Sequence, residues 1–368
     1  MRLRESKEIH DMIDWTKSMQ QTFEFYEVDP GTWQNKRLLT NVKSASIAWD
    51  LYAETLGSAA FDVTESVGEC YIRTYLVAIQ NGVKERFPLG TFLVQTPSSG
   101  FNGQIRNVTM DAYTPLLELK ENPPPIGYYV PKDGDILESA YNIARDNARA
   151  PVVKPGTLES STTMGYDFIS DTDDTWLSYT SSLLANVKYK FNLDEMGRIL
   201  FSPEQDVASL RPVWTFDDSN SSILLPEITM DHDLYGIPNV VEVRYFNSDI
   251  KDNVIVYARN EDPNSPTSIQ SRGREITYRV TSPDLPGIPT EPQLQDYANQ
   301  LLEALSSIEY SITYTHGYCP VRLGDAVRLN YERAGLTNIK AKVVSQSIKC
   351  EAGCLVTEKA IFTTKLWR

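Results

Sequence analysis

LGDAVRLNYERAGLTNIKAKVVSQSIKCEAGCLVTEKAIFTTKLWR runs from Leu323 to Arg368, and its periodicity sets the class of fold. Ala326, Arg328 and Asn330 alternate with Val327, Leu329 and Tyr331. A second run sets Ala341, Val343, Ser345 and Ser347 against Lys342, Val344, Gln346 and Ile348. A third sets Leu355, Thr357, Lys359 and Ile361 against Val356, Glu358, Ala360 and Phe362. Period 2 with Val, Ile, Thr and Phe means strands. Gly335 and Glu351-Ala352-Gly353 supply the turns between them. The expectation is an antiparallel three-strand meander without catalytic punctuation.

A similar pattern fills the first part of the chain. FEFYEV (Phe23 to Val28) alternates, and Arg37 to Ala53, the AAFDVTE run and Cys70 to Pro97 follow it. Gln80-Asn81-Gly82 holds the Asn-Gly pair favoured in tight hairpins. A strand is read as entering through Leu89-Gly90 and running from Thr91 to Gln95, Ser98-Ser99-Gly100 and Asn102-Gly103 mark a further turn, and a last strand runs from Ile105 to Asp111. Five or more short strands at this spacing predict a small barrel or sandwich. A Leu-Gly pair before alternating residues recurs at Leu89-Gly90 and Leu323-Gly324, a weak internal echo.

Between the β modules the period changes to that of helices. Ile136, Leu137, Ala140, Ile143, Ala144 and Ala148 form one stripe. Trp176, Leu177, Thr180, Leu183, Leu184 and Val187 form another, with Asp173 or a neighbouring aspartate as its cap. Tyr189 to Phe201, turning at Asp194-Glu195-Met196-Gly197, predicts a hairpin. Strands are read at Val240 to Tyr245 and Val254 to Ala258, and a third helix at Thr290 to Ser306 with Pro292 in its first turn. Pro123-Pro124-Pro125 is a rigid connection. The N-terminal residues are read as a short helix or arm.

The fold class predicted is α+β, mainly β, with two small β-barrel modules and inserted helical α+β subdomains. The expected division is an arm (1–20), a first barrel (21–113) and an α+β subdomain (114–206). A second barrel (207–250 plus 309–368) then encloses an inserted subdomain with one helix (251–308).

The 368 residues carry a net charge of −14, which argues against a nucleic-acid-binding surface. No apolar run is long enough to cross a bilayer, and the charged N-terminus has no secretion core. Cys350 and Cys354 flank a turn and Cys319 lies near His316, so a disulfide and a zinc site are each weighed against reduced thiols. Thiols are expected, with no metal and no cofactor. His232, in an Asp-His-Asp run, is read as a polar loop rather than an acid–base site. Asp171 to Asp174 lacks the glycine and the distal glutamate of a calcium loop and is read as capping. Asp217, Asp218 and Glu195 are the only carboxylates considered for glycoside hydrolysis. No nucleophile-elbow, zincin or phosphate-loop pattern is present.

LLTNVKSASIAWD, then GSAAFDVTESVGECYIRTYLVAIQNGVKERFPLGTFLV, resembles the first barrel of phage tail-tip hub proteins. DILESAYNIARDNA, DTWLSYTSSLLANVKYKF with NLDEMGRILF, IPNVVEVRY and the ending RLGDAVRLNYERAGLTNIKAKVVSQSIKCEAG are similar to later parts of the same proteins. The resemblance spans nearly the whole chain through the order of its elements. It covers the hub of contractile-tailed phages and the N-terminal hub part of siphophage tail-associated proteins.

That resemblance implies tail-tube-like barrels and a non-enzymatic virion protein at the tail tip, assembled in the host cytoplasm. It implies a homotrimer that joins the tube to the tip and forms part of the DNA-ejection channel. Implied partners are a distal tail or tail tube protein, a tape-measure protein, and a spike or fibre on another chain. DNA would pass without specific binding. Candidate interface positions are Leu89, Gly90, Thr91 and Phe92 in the first module and Leu323, Gly324 and Asp325 in the last. The competing readings are a cell-wall hydrolase and a glycan-binding host-recognition module, the latter carried by the 20 Tyr and 6 Trp.

Overall fold

The structure, a computed structural model, describes residues 13–65, 67–101, 106–156, 162–205, 207–232, 236–247, 252–281, 283 and 289–365. The first strands are β1 (Gln20–Val28), β2 (Asn35–Leu38), β3 (Val42–Asp50), β4 (Gly57–Val63), β5 (Tyr71–Gln80), β6 (Val83–Phe101) and β7 (Arg106–Tyr113). The middle holds α1 (Leu117–Glu121), β8 (Tyr129–Val130), α2 (Ile136–Asn147), β9 (Phe168–Ile169), α3 (Trp176–Ala185), β10 (Tyr189–Leu193) and β11 (Ile199–Pro203). Then come β12 (Pro212–Asp217), β13 (Leu224–His232), β14 (Val240–Asn247), β15 (Asp252–Arg259), α4 (Ile269–Arg272), β16 (Thr277–Thr281) and α5 (Glu291–Leu305). The chain closes with β17 (Ser307–Gly317), β18 (Ala326–Tyr331), β19 (Leu336–Cys350) and β20 (Leu355–Lys365). The fold is mainly β.

The chain forms two compact units, Met1–Ile228 with Thr313–Ala360, and Thr229–Ile312 with Ile361–Arg368. In the first unit the terminal meander forms as its alternation predicts: β18 pairs antiparallel with β19, and β19 neighbours β20. Two pairings unite it with other parts of the chain. β12 adds to β18 in parallel, and β19 pairs antiparallel with β3, placing Ile348 opposite Ile47 and Gln346 opposite Trp49. The first and last β modules therefore share one continuous sheet, in which β3, β4, β7, β6, β5, β1 and β2 are successive neighbours.

β5 is buried at almost every position of YIRTYLVAIQ. Both of its faces are covered, so its sequence carries no clean inside–outside alternation. The Asn81-Gly82 turn joins it to β6 with positive φ at both residues, 51° and 82°, the signature of a type I′ hairpin. Leu89-Gly90 does not end a strand. It is a bulge, where the β5–β6 register slips between Thr74 and Tyr75. Ser98-Ser99-Gly100 likewise continues β6, paired with β7, while Asn102-Gly103 lies outside the described residues. The echo with Leu323-Gly324 therefore joins unlike features, since Gly324 sits in a turn at φ +86°.

α2 begins at Asp135, whose carboxylate accepts from the Glu138 amide, and it buries Ile136, Leu137, Ala140, Ile143 and Ala144. α3 is capped by Thr175 rather than an aspartate: its hydroxyl accepts from the Ser178 amide in a reciprocal capping box. Asp174 instead accepts from the Ser178 hydroxyl at 2.8 Å. Val187 falls beyond the end of α3. Residues 13–19 hold a turn and no helix, and the remainder of the expected N-terminal helix lies outside the described residues.

In the second unit β14 is central, antiparallel to β15 and parallel to β16. Val241, Val243, Val256 and Ala258 pack with Leu294, Ala298 and Leu302 of α5. The Val240 to Tyr245 strand thus belongs with the segment expected as an insertion, not with the second barrel. α5 matches its predicted span, with Thr290 as cap and proline in its first turn. No helix among the described residues is long and apolar enough to cross a membrane.

Candidate functional site

The β10–β11 hairpin turns through Asp194-Glu195-Met196-Gly197, and Gly197 has φ +75°. Asp194 shapes this turn. Its carbonyl accepts from the Gly197 amide at 2.9 Å, and its carboxylate accepts from the Arg198 amide at 2.9 Å and from the Arg198 guanidinium at 2.5 Å. The turn presents its backbone carbonyls to the first β module. The Met196 carbonyl accepts from Trp33 Nε1 at 2.7 Å and from Arg73 at 3.0 Å. The Glu195 carbonyl accepts from the Thr91 hydroxyl at 3.3 Å.

Arg73, on β5, is 1% exposed. Its guanidinium also donates to Thr91 Oγ1 at 3.0 Å, Asn35 Oδ1 at 2.9 Å and the Trp33 carbonyl at 3.3 Å. A planar five-donor group suits a set of neutral acceptors drawn from several segments. On the other side of the turn, Arg322 Nε pairs with Glu195 Oε1 at 2.7 Å. The hairpin is thereby fixed to both β modules of the first unit. Sequence reading picked out the turn but not Arg73, because an arginine inside an alternating strand reads as solvent-facing.

The candidate interface residues separate into two groups. Leu89, Thr91 and Phe92 are buried in the core. A Cβ on Gly90 would lie 2.4 Å from the Phe92 ring and 2.9 Å from the Trp49 ring. This segment packs against its own chain, because the β6 bulge turns it inward, so its side chains are not available to a second subunit. Leu323, Gly324 and Asp325 are half-buried and line a cleft of about 220 Å³ beside the hairpin turn.

A second polar group lies where β17, β19 and β20 meet. Glu358 Oε2 accepts from the Tyr314 hydroxyl at 2.7 Å, and Oε1 accepts from Gln346 Nε2 at 2.5 Å. His316 Nε2 stands 3.4 Å from Glu358 Oε1, an ionic contact without hydrogen-bond geometry. Nδ1 lies 2.7 Å from the Gly317 carbonyl and 3.8 Å from Cys319 Sγ. Burial alone pushes the His316 imidazolium down, but Cys319 and Glu358 beside it outweigh that and hold it up at about 10. Burial pushes Glu358 up, and His316 with the hydrogen bonds draws it below its ordinary value.

Cys319, His316 and Glu358 have the connectivity of a thiol nucleophile triad. Their surroundings oppose that chemistry. His316 and Glu358 have no exposure, Cys319 is 1% exposed, and burial pushes its thiol up, away from the reactive thiolate. The group is a core network. Among the described residues no cluster of His, Cys, Asp and Glu could hold a metal, and all four cysteines are thiols rather than disulfides.

The three carboxylates weighed for hydrolysis stay apart in their engagements. Asp217 accepts from Ser219, Asp218 pairs with Arg333, and Glu195 pairs with Arg322. Neither Asp217 nor Asp218 lines the cleft that contains Glu195. Asp231 and His232 end strand β13, which corrects the loop expected there; Asp233 lies outside the described residues.

The fold is similar to that of solved phage tail proteins. The tail protein from Neisseria meningitidis MC58 superposes with a TM-score of 0.61 at 13% identity, over 94% of this chain and 98% of that one. The prophage MuSo2 43 kDa tail protein from Shewanella oneidensis gives 0.61 at 10% identity, over 93% and 98%. A chain of a Francisella PdpA–VgrG complex gives 0.55 at 11% identity, over 94% of this chain and 53% of that one. No protein-family model and no curated protein matches the sequence.

Proposed function

We propose that this chain is a structural protein of a phage tail, the hub that joins the tail tube to the tip apparatus. The observation that carries this reading is the end-to-end correspondence with two tail proteins, at least 93% of this chain and 98% of each of theirs. In this role the chain forms a homotrimer at the distal end of the tube, located in the virion and assembled in the host cytoplasm. Its partners are a distal tail or tube protein, a tape-measure protein and a separate spike or fibre. Two β modules in each of three subunits would give a ring of six-fold outline, with heterologous contacts between neighbours. A net charge of −14 suits a channel through which DNA slides without adhering. No catalytic step is assigned, since the triad-like group of Cys319, His316 and Glu358 is sealed in the core.

Sedimentation of the purified chain with negative-stain class averages tests this. Three subunits in an open ring are expected. A compact monomer that stays monomeric with purified tail tubes would overturn the hub reading. Release of peptidoglycan fragments by the chain would replace it with the hydrolase.

A further inference from the structure

The second unit has two layers. α5 covers one face of the β15–β14–β16 sheet through Leu294, Ala298 and Leu302. The opposite face leaves Phe246, Ile255 and Tyr257 exposed. β14 and β16 run parallel. Parallel sheets occur almost only with both faces covered, so a parallel pair with one bare face departs from that pattern. The same bare face carries two exposed arginines, Arg244 and Arg279. Both bond through Nε to the Glu242 carboxylate, Arg279 at 3.1 Å, and Glu242 itself is 4% exposed. One carboxylate answers two guanidiniums, so the centre of the face keeps a positive charge. Arg259, on the outermost strand, is paired with Glu275.

The outward side of α5 has the opposite sign. The helix carries Glu291, Asp296 and Glu303 and no lysine or arginine. Asp296 and Glu303 stand about two turns apart, on the ridge facing away from Leu294, Ala298 and Leu302. An acidic ridge and a sheet face with excess arginine charge are complementary. They lie on opposite sides of one unit, so they meet only between copies. The three strands contain arginine and aromatic residues but no lysine, the composition favoured at protein interfaces. Glu242 also holds both guanidiniums in place, which lowers the ordering cost of a contact made through them.

We propose that the bare face of this sheet is covered by α5 of a second copy of the chain. The partner subunit's Asp296 and Glu303 lie against Arg244 and Arg279, and its helix shields Phe246, Ile255 and Tyr257 from water. The sheet then has a helix layer on both faces. The contact joins unlike surfaces, so it is heterologous and either closes into a ring or runs on as a filament. It goes beyond the hub reading and stands or falls without it.

Sedimentation velocity of the full chain over a concentration series tests it. Self-association that weakens as salt is added is expected. The sheet-face variant Arg244→Glu with Arg279→Glu should associate at least about tenfold more weakly, because like charges then face each other. The helix variant Asp296→Lys with Glu303→Lys should do the same. All four substitutions in one chain restore opposite signs and should restore association. A wild type that stays monomeric overturns the proposal, and this measurement needs no variant. So does association that both charge reversals leave unchanged. In that case an open three-subunit ring that persists in both variants keeps the hub reading while this contact falls. Failure of the four-fold swap to recover association, in a chain that melts like the wild type, also overturns it. Binding of fluorescein-labelled oligothymidine that is lost in the sheet-face variant would assign the face to nucleic acid instead.

Discussion

His316 on β17 and Glu358 on β20 form an ion pair with no exposure on either side, Nε2 to Oε1 at 3.4 Å. The pair makes stability depend on pH from both directions. His316 is raised from 6.5 to about 10, so its contribution is complete below pH 6.5 and is lost as pH climbs toward 10. Glu358 is lowered from 4.5, so its contribution is complete above pH 4.5 and is lost as pH falls through its lowered value. Their combined contribution is greatest between about 4.5 and 6.5. Glu358→Gln should cost about 3–5 kcal/mol at pH 6, since it leaves a buried imidazolium uncompensated. It should also flatten the decline in melting temperature between pH 7 and 10. A variant that melts with the wild-type alkaline slope would assign that slope to other groups.

Arg73 gives a second test, because its acceptors come from distant parts of the chain. Arg73→Met should lower stability by about 3 kcal/mol, since the buried Trp33 carbonyl and the half-buried Asn35 side chain lose their charged donor. Arg73→Lys should recover only part of this, because an ammonium cannot reproduce the guanidinium fan. Urea midpoints of the three proteins measure both. Equal stability of the lysine variant and wild type would mean that charge, not shape, is what the site requires.

Two glycines with similar backbone separate conformational cost from docking cost. Gly197 has φ +75°, and a Cβ there would lie 2.7 Å from Thr91 Cβ. Gly324 has φ +86° with nothing within 4 Å. Gly324→Ala should cost about 1–2 kcal/mol, the penalty of left-handed backbone alone. Gly197→Ala adds overpacking of about 1–3 kcal/mol and should also expose the Trp33 indole as the hairpin lifts. The difference between the two melting temperatures, with tryptophan fluorescence, reads the docking of the turn directly.

The elements legible in the sequence were those whose local pattern agreed with their surroundings. The terminal strands alternate because one face is buried. α2 and α5 show clean stripes, and their N-caps at Asp135 and Thr290 fall just before them. The pairing of β19 with β3 was not legible, because nothing local in Ile348 specifies Ile47 as its neighbour. The same holds for the candidate site. Glu195 was visible as a turn residue, but its Arg322 partner and Arg73 come from separated segments. Leu89-Gly90 reads as the entry to a new strand, but a glycine there can equally mark a bulge within one continuous strand. Only the neighbouring rings show which it is.

Those rings supply the last prediction. Gly90 lets β6 bulge against Phe92 and Trp49, whose ring centroids lie 5.3 Å apart. A Cβ at 90 would come within 2.4 Å of Phe92 and 2.9 Å of Trp49. Gly90→Ala should therefore cost about 1–3 kcal/mol by overpacking, although the backbone there is not left-handed. Phe92→Leu alone should also destabilise, since it thins a fully buried core. Combined with Gly90→Ala it should cost less than the sum, with a coupling of about 0.5–3 kcal/mol, because the smaller side chain admits the new methyl. A double-mutant cycle in urea measures this coupling. Strict additivity would mean that the bulge relaxes elsewhere, and that Gly90 is not there to accommodate the two rings.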